Sequence, residues 1–121
     1  MAPPTQVSWV DPTANVDGSP VSPGEITAYE VGARDTSAAG SQAGVYPYGI
    51  KAPPTATSAL LSALKPLLPT GVPLVFAVRA DTGALDVNGN AVDSDWSPES
   101  APITLPVPAP VPLPPSGVVV S

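Results

Sequence analysis

Polar and apolar residues alternate through Thr5-Gln6-Val7-Ser8-Trp9-Val10 and stop alternating at Asp11-Pro12. A period of two marks a half-buried strand, because successive side chains leave opposite faces. Residues 11–24 are dense in Pro, Gly, Asn and Asp and read as a loop. Residues 25–34, Glu25 to Arg34, predict a second strand, with Tyr29 and Val31 on one face and Ile26, Ala28 and the remaining even positions on the other. Small polar residues at 35–44 predict a further loop. Val45-Tyr46-Pro47-Tyr48-Gly49-Ile50 predicts a weak edge strand, since Pro47 has no N–H for a central ladder.

Residues 56–64 fit two periods. As a helix they place Leu60, Leu61 and Leu64 on one face, but Pro53-Pro54 and Pro66 leave only about ten residues, a marginal length without packing. As a strand they place Ala59, Leu61 and Ala63 together, with Leu60 and Leu64 partly elsewhere. Periodicity alone does not choose. Val72 to Ala80 is the clearest strand, with Leu74, Phe76, Val78 and Ala80 inward and Arg79 outward. Asn88-Gly89 in a valine-flanked stretch predicts a two-residue hairpin turn. Ser94-Asp95-Trp96-Ser97 leads to a last strand near Ala101–Leu105. Short strands separated by turn signals predict an all-β sandwich.

Composition narrows this picture. At 121 residues the chain holds one domain and a tail. Its 10 acidic residues face 4 basic ones, and the net charge of −6 repels phosphate backbones, so no nucleic-acid partner is expected. Proline or a polar residue interrupts every apolar run, so no membrane span is expected. The N-terminus lacks a basic segment and an apolar core, so no signal peptide is expected. With no Cys and no His, the chain has no disulfide, no zinc–sulfur site and no Ser-His or Cys-His nucleophile.

The order of the elements resembles a fibronectin type III domain over roughly residues 5–105. The resemblance rests on Trp9 in an early strand, Glu25-Ile26-Thr27-Ala28-Tyr29-Glu30-Val31, Thr57 to Leu64-Lys65-Pro66 with Gly71 following, Phe76-Ala77-Val78-Arg79-Ala80, and Asp95-Trp96-Ser97-Pro98. It implies an immunoglobulin-like β-sandwich at 1–105, followed by a proline-rich extended tail at 106–121, and it implies a strand at 56–64. Two departures stand out. Leu74 occupies the place of a corner tyrosine, and no strand precedes that of Trp9.

Candidate chemistry is sparse. Asp81, Asp86, Asp93 and Asp95 read as solvated turn residues or, with Asn88 and Asn90, as hard oxygen ligands for Ca²⁺ without EF-hand spacing. The first reading carries an expectation of no catalytic residue, no metal and no cofactor. Arg79 and Trp96 form a possible cation–π pair on the sheet, and Tyr46 and Tyr48 a possible contact on an edge strand, each with a purely structural role as the alternative.

Beyond Leu105, prolines alternate with Val, Ala and Leu, which favours polyproline II. Val107, Val111, Leu113 and the terminal Val118-Val119-Val120 are the candidate partner contacts; a β-branched run such as the last one pairs with a sheet edge or frays. The expectation is a non-enzymatic structural or binding module whose partner is a protein, another one or a copy of itself. By analogy with fibronectin-like domains on tailed bacteriophages it is a virion surface protein, a capsid decoration or accessory domain contacting the major capsid or another virion protein. A carbohydrate-binding or spacer module of a secreted bacterial glycoside hydrolase is the alternative.

Overall fold

β-Branched and aromatic residues at alternate positions give the chain its long strands. In the computed structural model, which describes residues 3–15, 18–108 and 112–120 without the side chains of Ala91 and Val92, the strands are β1 (Gln6–Ser8), β2 (Ala28–Asp35), β3 (Tyr48–Ala52), β4 (Ser58–Leu60), β5 (Pro73–Leu85), β6 (Ala91–Asp93) and β7 (Ile103–Thr104). They form two antiparallel sheets. One is five-stranded, in the order β3-β2-β5-β6 with β7 also on β5; the other is two-stranded, β1 with β4. The described residues are therefore all-β, apart from a 3-10 turn at Leu61–Ala63.

The β2–β5 ladder runs from Ala28 opposite Asp81 to Asp35 opposite Leu74, and its register sets the core. Val31, Ala33, Leu74 and Phe76 point inward with Leu61, Leu64 and Leu68, and Val7, Tyr48 and Ile50 pack against them. A second buried cluster holds Tyr29, Ala52 and Ala80, with Ile26 and Ala56 against it. Trp9 and Val78 touch both clusters, so Trp9, Tyr29 and Phe76 line two adjoining cores rather than one. Burying one such aliphatic side chain contributes about 1.5–3 kcal/mol, which makes the central ladder the main source of stability.

Several expectations shift in detail. The edge strand starts at Tyr48 rather than Val45, which leaves Pro47 outside the ladder it would interrupt. Residues 56–64 are part strand and part helical turn. The strand ends at Leu60, and the 3-10 turn re-phases the chain by three residues, so that both Leu61 and Leu64 point inward. Leu64 is fully buried and belongs to the core. The hairpin at Asn88-Gly89 has a three-residue loop, not two. Gly89 N–H bonds to Asp86 O at 3.0 Å, Asp86 N–H to Asn90 O at 2.9 Å, and Gly89 takes φ +80°. That is a type I turn closed by a left-handed glycine, in which Asn88 needs no positive φ. The last strand spans only Ile103–Thr104.

The segment before it replaces a strand by other means. Ser94, Ser97 and Ser100 donate their N–H groups to the carbonyls of Ala80, Val78 and Phe76, each at 2.9 Å. Their hydroxyls accept from the N–H groups of the same residues at 2.8, 3.0 and 3.1 Å. Serines three apart thus match strand residues two apart. Three is the repeat of polyproline II, the conformation that Pro98 and Pro102 favour here.

Candidate binding surfaces

Even positions of β2 and odd positions of β5 face away from the core, which puts Glu30, Gly32 and Arg34 beside Arg79, Ala77 and Val75. The pairing of β2 with β3 adds Lys51 opposite Glu30 and Gly49 opposite Gly32. The two facing glycines leave a bare strip of backbone on this outer face. Tyr46 lies directly on it: a Cβ on Gly32 would sit 2.7 Å from Cβ of Tyr46.

Across this face the side chains form a continuous chain of contacts. Arg34 donates to Glu99 with two nitrogens at 2.7 Å each, and to Ser41 Oγ at 2.9 Å. Tyr46 Oη–H donates to Glu99 Oε2 at 2.9 Å. The Tyr46 ring meets Trp96 edge-on at 4.6 Å, and the Arg79 guanidinium lies 4.9 Å from the Trp96 ring centre. Arg79 in turn bonds Glu30 and approaches Asp93 at 3.8 Å. The paired Arg34 guanidinium holds the Glu99 carboxyl below its usual range, and Arg79 does the same for Glu30. Burial raises the Tyr46 hydroxyl.

Asp81 corrects the expectation of a solvated turn residue. It lies on β5, is 8 % exposed, and burial raises its pKa, reinforced by the neighbouring Glu30 carboxyl. Its Oδ2 is 3.4 Å from Lys51 Nζ, whereas its Oδ1 is buried without a hydrogen bond. Glu30, Asp81 and Asp93 bring carboxylate oxygens within 4.8 Å of one another. Arg79 and Lys51 already oppose that charge. Asp86 stands apart and caps its turn, its Oδ1 accepting from the N–H groups of Asn88 and Asn90 at 2.8 and 3.0 Å, and these bonds lower its pKa. Asp95 is exposed. The acidic residues of 81–95 therefore do not converge as one ligand set.

The suspected contact residues divide. Arg79, Trp96 and Tyr46 come together on the outer face, beside an open groove of about 560 Å³ that also touches Gly32, Gly49 and Lys51. Tyr48, two residues from Tyr46, also borders the groove but is half-buried and packs against the core. Glu30, Arg34 and Glu99, which complete the contact chain, carry no local motif in the sequence. The three-residue serine spacing at 94–100 was the legible signal for what aligns Trp96 and Glu99.

No family model, curated protein or solved structure matches this chain. No helix among the described residues is long and apolar enough to cross a membrane.

The tail presents a different surface. Among the described residues the last backbone tie to the domain is Gly71 N–H to Leu105 O at 2.9 Å, and Cγ2 of Val107 lies 2.9 Å from where a Cβ on Gly71 would be. Residues 112–120 are exposed and carry no secondary structure. Val107, Leu113, Val118, Val119 and Val120 are 70–96 % exposed, and Val111 lies outside the described residues.

Proposed function

We propose that this protein is a non-enzymatic binding module, a fibronectin type III-like sandwich attached through its tail to a larger protein assembly, with a virion surface as the candidate setting. The observation that carries this reading is the exposed apolar tail. A soluble domain rarely keeps a contiguous apolar segment in water unless it engages a partner. Here Leu113 and Val118 to Val120 sit at the end of a proline-rich spacer that stiffens their presentation. The polar outer face supports the same reading from the other side. Its charges are paired with one another, an arrangement suited to rigidity rather than to acid–base turnover.

The test is fractionation of the source material on a density gradient, with detection of the intact chain. Co-banding with assembled particles supports the reading. Recovery only in the unassembled soluble fraction contradicts it.

The outer-face groove favours a second reading, a carbohydrate-binding module, because aromatic rings beside polar groups suit a sugar. Affinity electrophoresis of the intact chain in polysaccharide gels distinguishes the two: retardation abolished by Trp96→Ala supports the sugar site, and unretarded migration in every gel removes it.

A further inference from the structure

The two-stranded sheet has an edge that pairs with no other strand among the described residues. In β1 and its continuation, Trp9 N–H bonds to Thr57 O at 2.9 Å and Leu61 N–H to Thr5 O at 3.0 Å. The register pairs Val7 with Ala59. Antiparallel strands alternate, so Thr5, Val7 and Trp9 turn their backbone groups to β4, and Gln6 and Ser8 turn theirs outward. Those outward groups have no backbone partner among the described residues. Val7 inside this edge is only half-buried against the core cluster, as are Val72, Ile103 and Leu105, so the flank of the core is incompletely covered. The far edge of β4, where Ser58 and Leu60 likewise have no backbone partner among the described residues, is cut short. Its strand runs straight into the 3-10 turn, and the chain beyond crosses to β3 through mutual Gly49–Lys65 backbone bonds of 3.0 and 2.9 Å.

The same chain carries an unpaired strand former. Val118-Val119-Val120 is β-branched throughout and exposed at 86, 83 and 96 %. It does not fold back on its own domain. The spacer from Pro106 to Gly117 reaches about 35–40 Å as polyproline II. A domain of about 100 residues has a radius of gyration of about 13 Å and so a diameter of about 35 Å, which this reach matches, so the spacer is long enough to hand the exposed valines to a second copy. The net charge of −6 disfavours self-association in general, but neither residues 106–121 nor Gln6-Val7-Ser8 contains a charged residue, so the two segments meet without local repulsion.

We propose that Val118-Val119-Val120 of one copy adds as a strand to the open β1 edge of a second copy, pairing with the backbone of Gln6 and Ser8. Two residues of the valine run, two apart, take the hydrogen bonds, and the one between them points inward beside Val7. Because the contact joins a tail to a different surface, it is heterologous, and repetition builds a ring or an open chain. This deepens the tail-anchored reading above by naming the partner of the tail.

The test is sedimentation velocity of the full chain over a concentration series. Three variants accompany it. Val118→Asp/Val119→Asp puts one charge inward in either register, at positions too exposed to affect folding. Ser8→Pro removes an outward N–H of β1. Ser58→Pro, at the corresponding place on the far edge of β4, is the control. We expect the full chain and Ser58→Pro to associate, and the tail and Ser8→Pro variants each to lose association by about tenfold or more. The tail variant keeps an intact edge and Ser8→Pro keeps an intact tail, so mixing them restores a 1:1 complex and nothing larger. A full chain that stays monomeric at millimolar concentration overturns the proposal. Loss of association in the tail variant but not in Ser8→Pro overturns the β1 assignment and leaves the tail-anchored function standing. Loss in Ser8→Pro and Ser58→Pro alike, without restoration on mixing, assigns the effect to misfolding of the two-stranded sheet and also overturns the proposal.

Discussion

Two sheet edges in this molecule meet the same problem and differ in the outcome. The far edge of β5 is covered along most of its length: β7 pairs with Pro73 and Leu74, the serine segment takes Phe76, Val78 and Ala80, and β6 pairs with Asp81 and Leu85. The outer edge of β1 presents Gln6 and Ser8 with no backbone partner among the described residues. An uncovered edge is a template for another strand, and proteins usually block it with proline, charge or a covering loop. This chain applies such a block to the edge of its large sheet and leaves the small sheet open. On the proposal of tail addition, the difference separates a structural half from an interacting half of one small fold.

Removing the cover from β5 is the largest way to break that contrast. Ser94→Ala/Ser97→Ala/Ser100→Ala strips the acceptors from three strand N–H groups and is expected to cost about 3 kcal/mol, at about 1 kcal/mol per bond. A melting temperature lowered by roughly 10 °C or more in calorimetry is the expected reading. An unchanged melting curve shows that backbone contacts alone hold the segment.

Next in size is the clasp over the outer face. Glu99→Ala leaves Arg34 and the Tyr46 hydroxyl without their shared partner, and a loss of about 1–2 kcal/mol is expected in urea titration. The same clasp gives a pH dependence. The folded pKa values of Glu99 and Glu30 lie below their unfolded ones, so their stabilisation is fully present above the ordinary carboxylate range and is lost as pH falls below that range through the lowered folded values.

Asp81 carries the opposite sign. Its folded pKa is raised, so holding it charged costs stability at neutral pH, and that cost disappears as the pH falls through its folded value. Asp81→Asn is expected to stabilise the protein by about 1 kcal/mol at pH 7, with the gain gone by about pH 4. A destabilised variant at pH 7 would show that the Lys51 contact outweighs the burial.

The smallest effect sharpens the comparison most. Ser8→Ala on the open edge makes the same chemical change as Ser97→Ala on the covered one. It is expected to move the stability of the monomer by less than about 0.5 kcal/mol.

Much of the scaffold was legible in the sequence because alternation reports directly on burial. Tyr29 and Val31, and Leu74, Phe76 and Ala80, face inward as their spacing indicates. Local signals misled where three-dimensional context decides. Leu64 is core because a short 3-10 turn re-phases the chain, an event that neither a pure helical nor a pure strand period contains. Asn88-Gly89 suggested a two-residue turn, yet the carboxylate of Asp86 caps a three-residue one. The pair Tyr46 and Tyr48, two residues apart, would share a face in a regular strand, but the strand starts only at Tyr48, so Tyr46 before Pro47 lies on the outer face while Tyr48 packs on the core. Glu99 and Arg34 are 65 positions apart, and no local pattern joins them. The prolines after Leu105 make an extended tail legible in the sequence, because polyproline II needs no tertiary partner to hold its shape, but they do not say whether Val118-Val119-Val120 pairs or stays exposed.

The central claim is that the β1 edge is open in one copy and filled by the tail of another. Amide hydrogen exchange of the full chain, followed residue by residue at two concentrations, tests it most directly. At low concentration Val7 and Trp9 should be protected by β4 while Gln6 and Ser8 exchange freely. At high concentration Gln6, Ser8 and amides of Val118 to Val120 should gain protection together. Gln6 and Ser8 exchanging freely at every concentration, with Val7 and Trp9 protected throughout, would contradict the account.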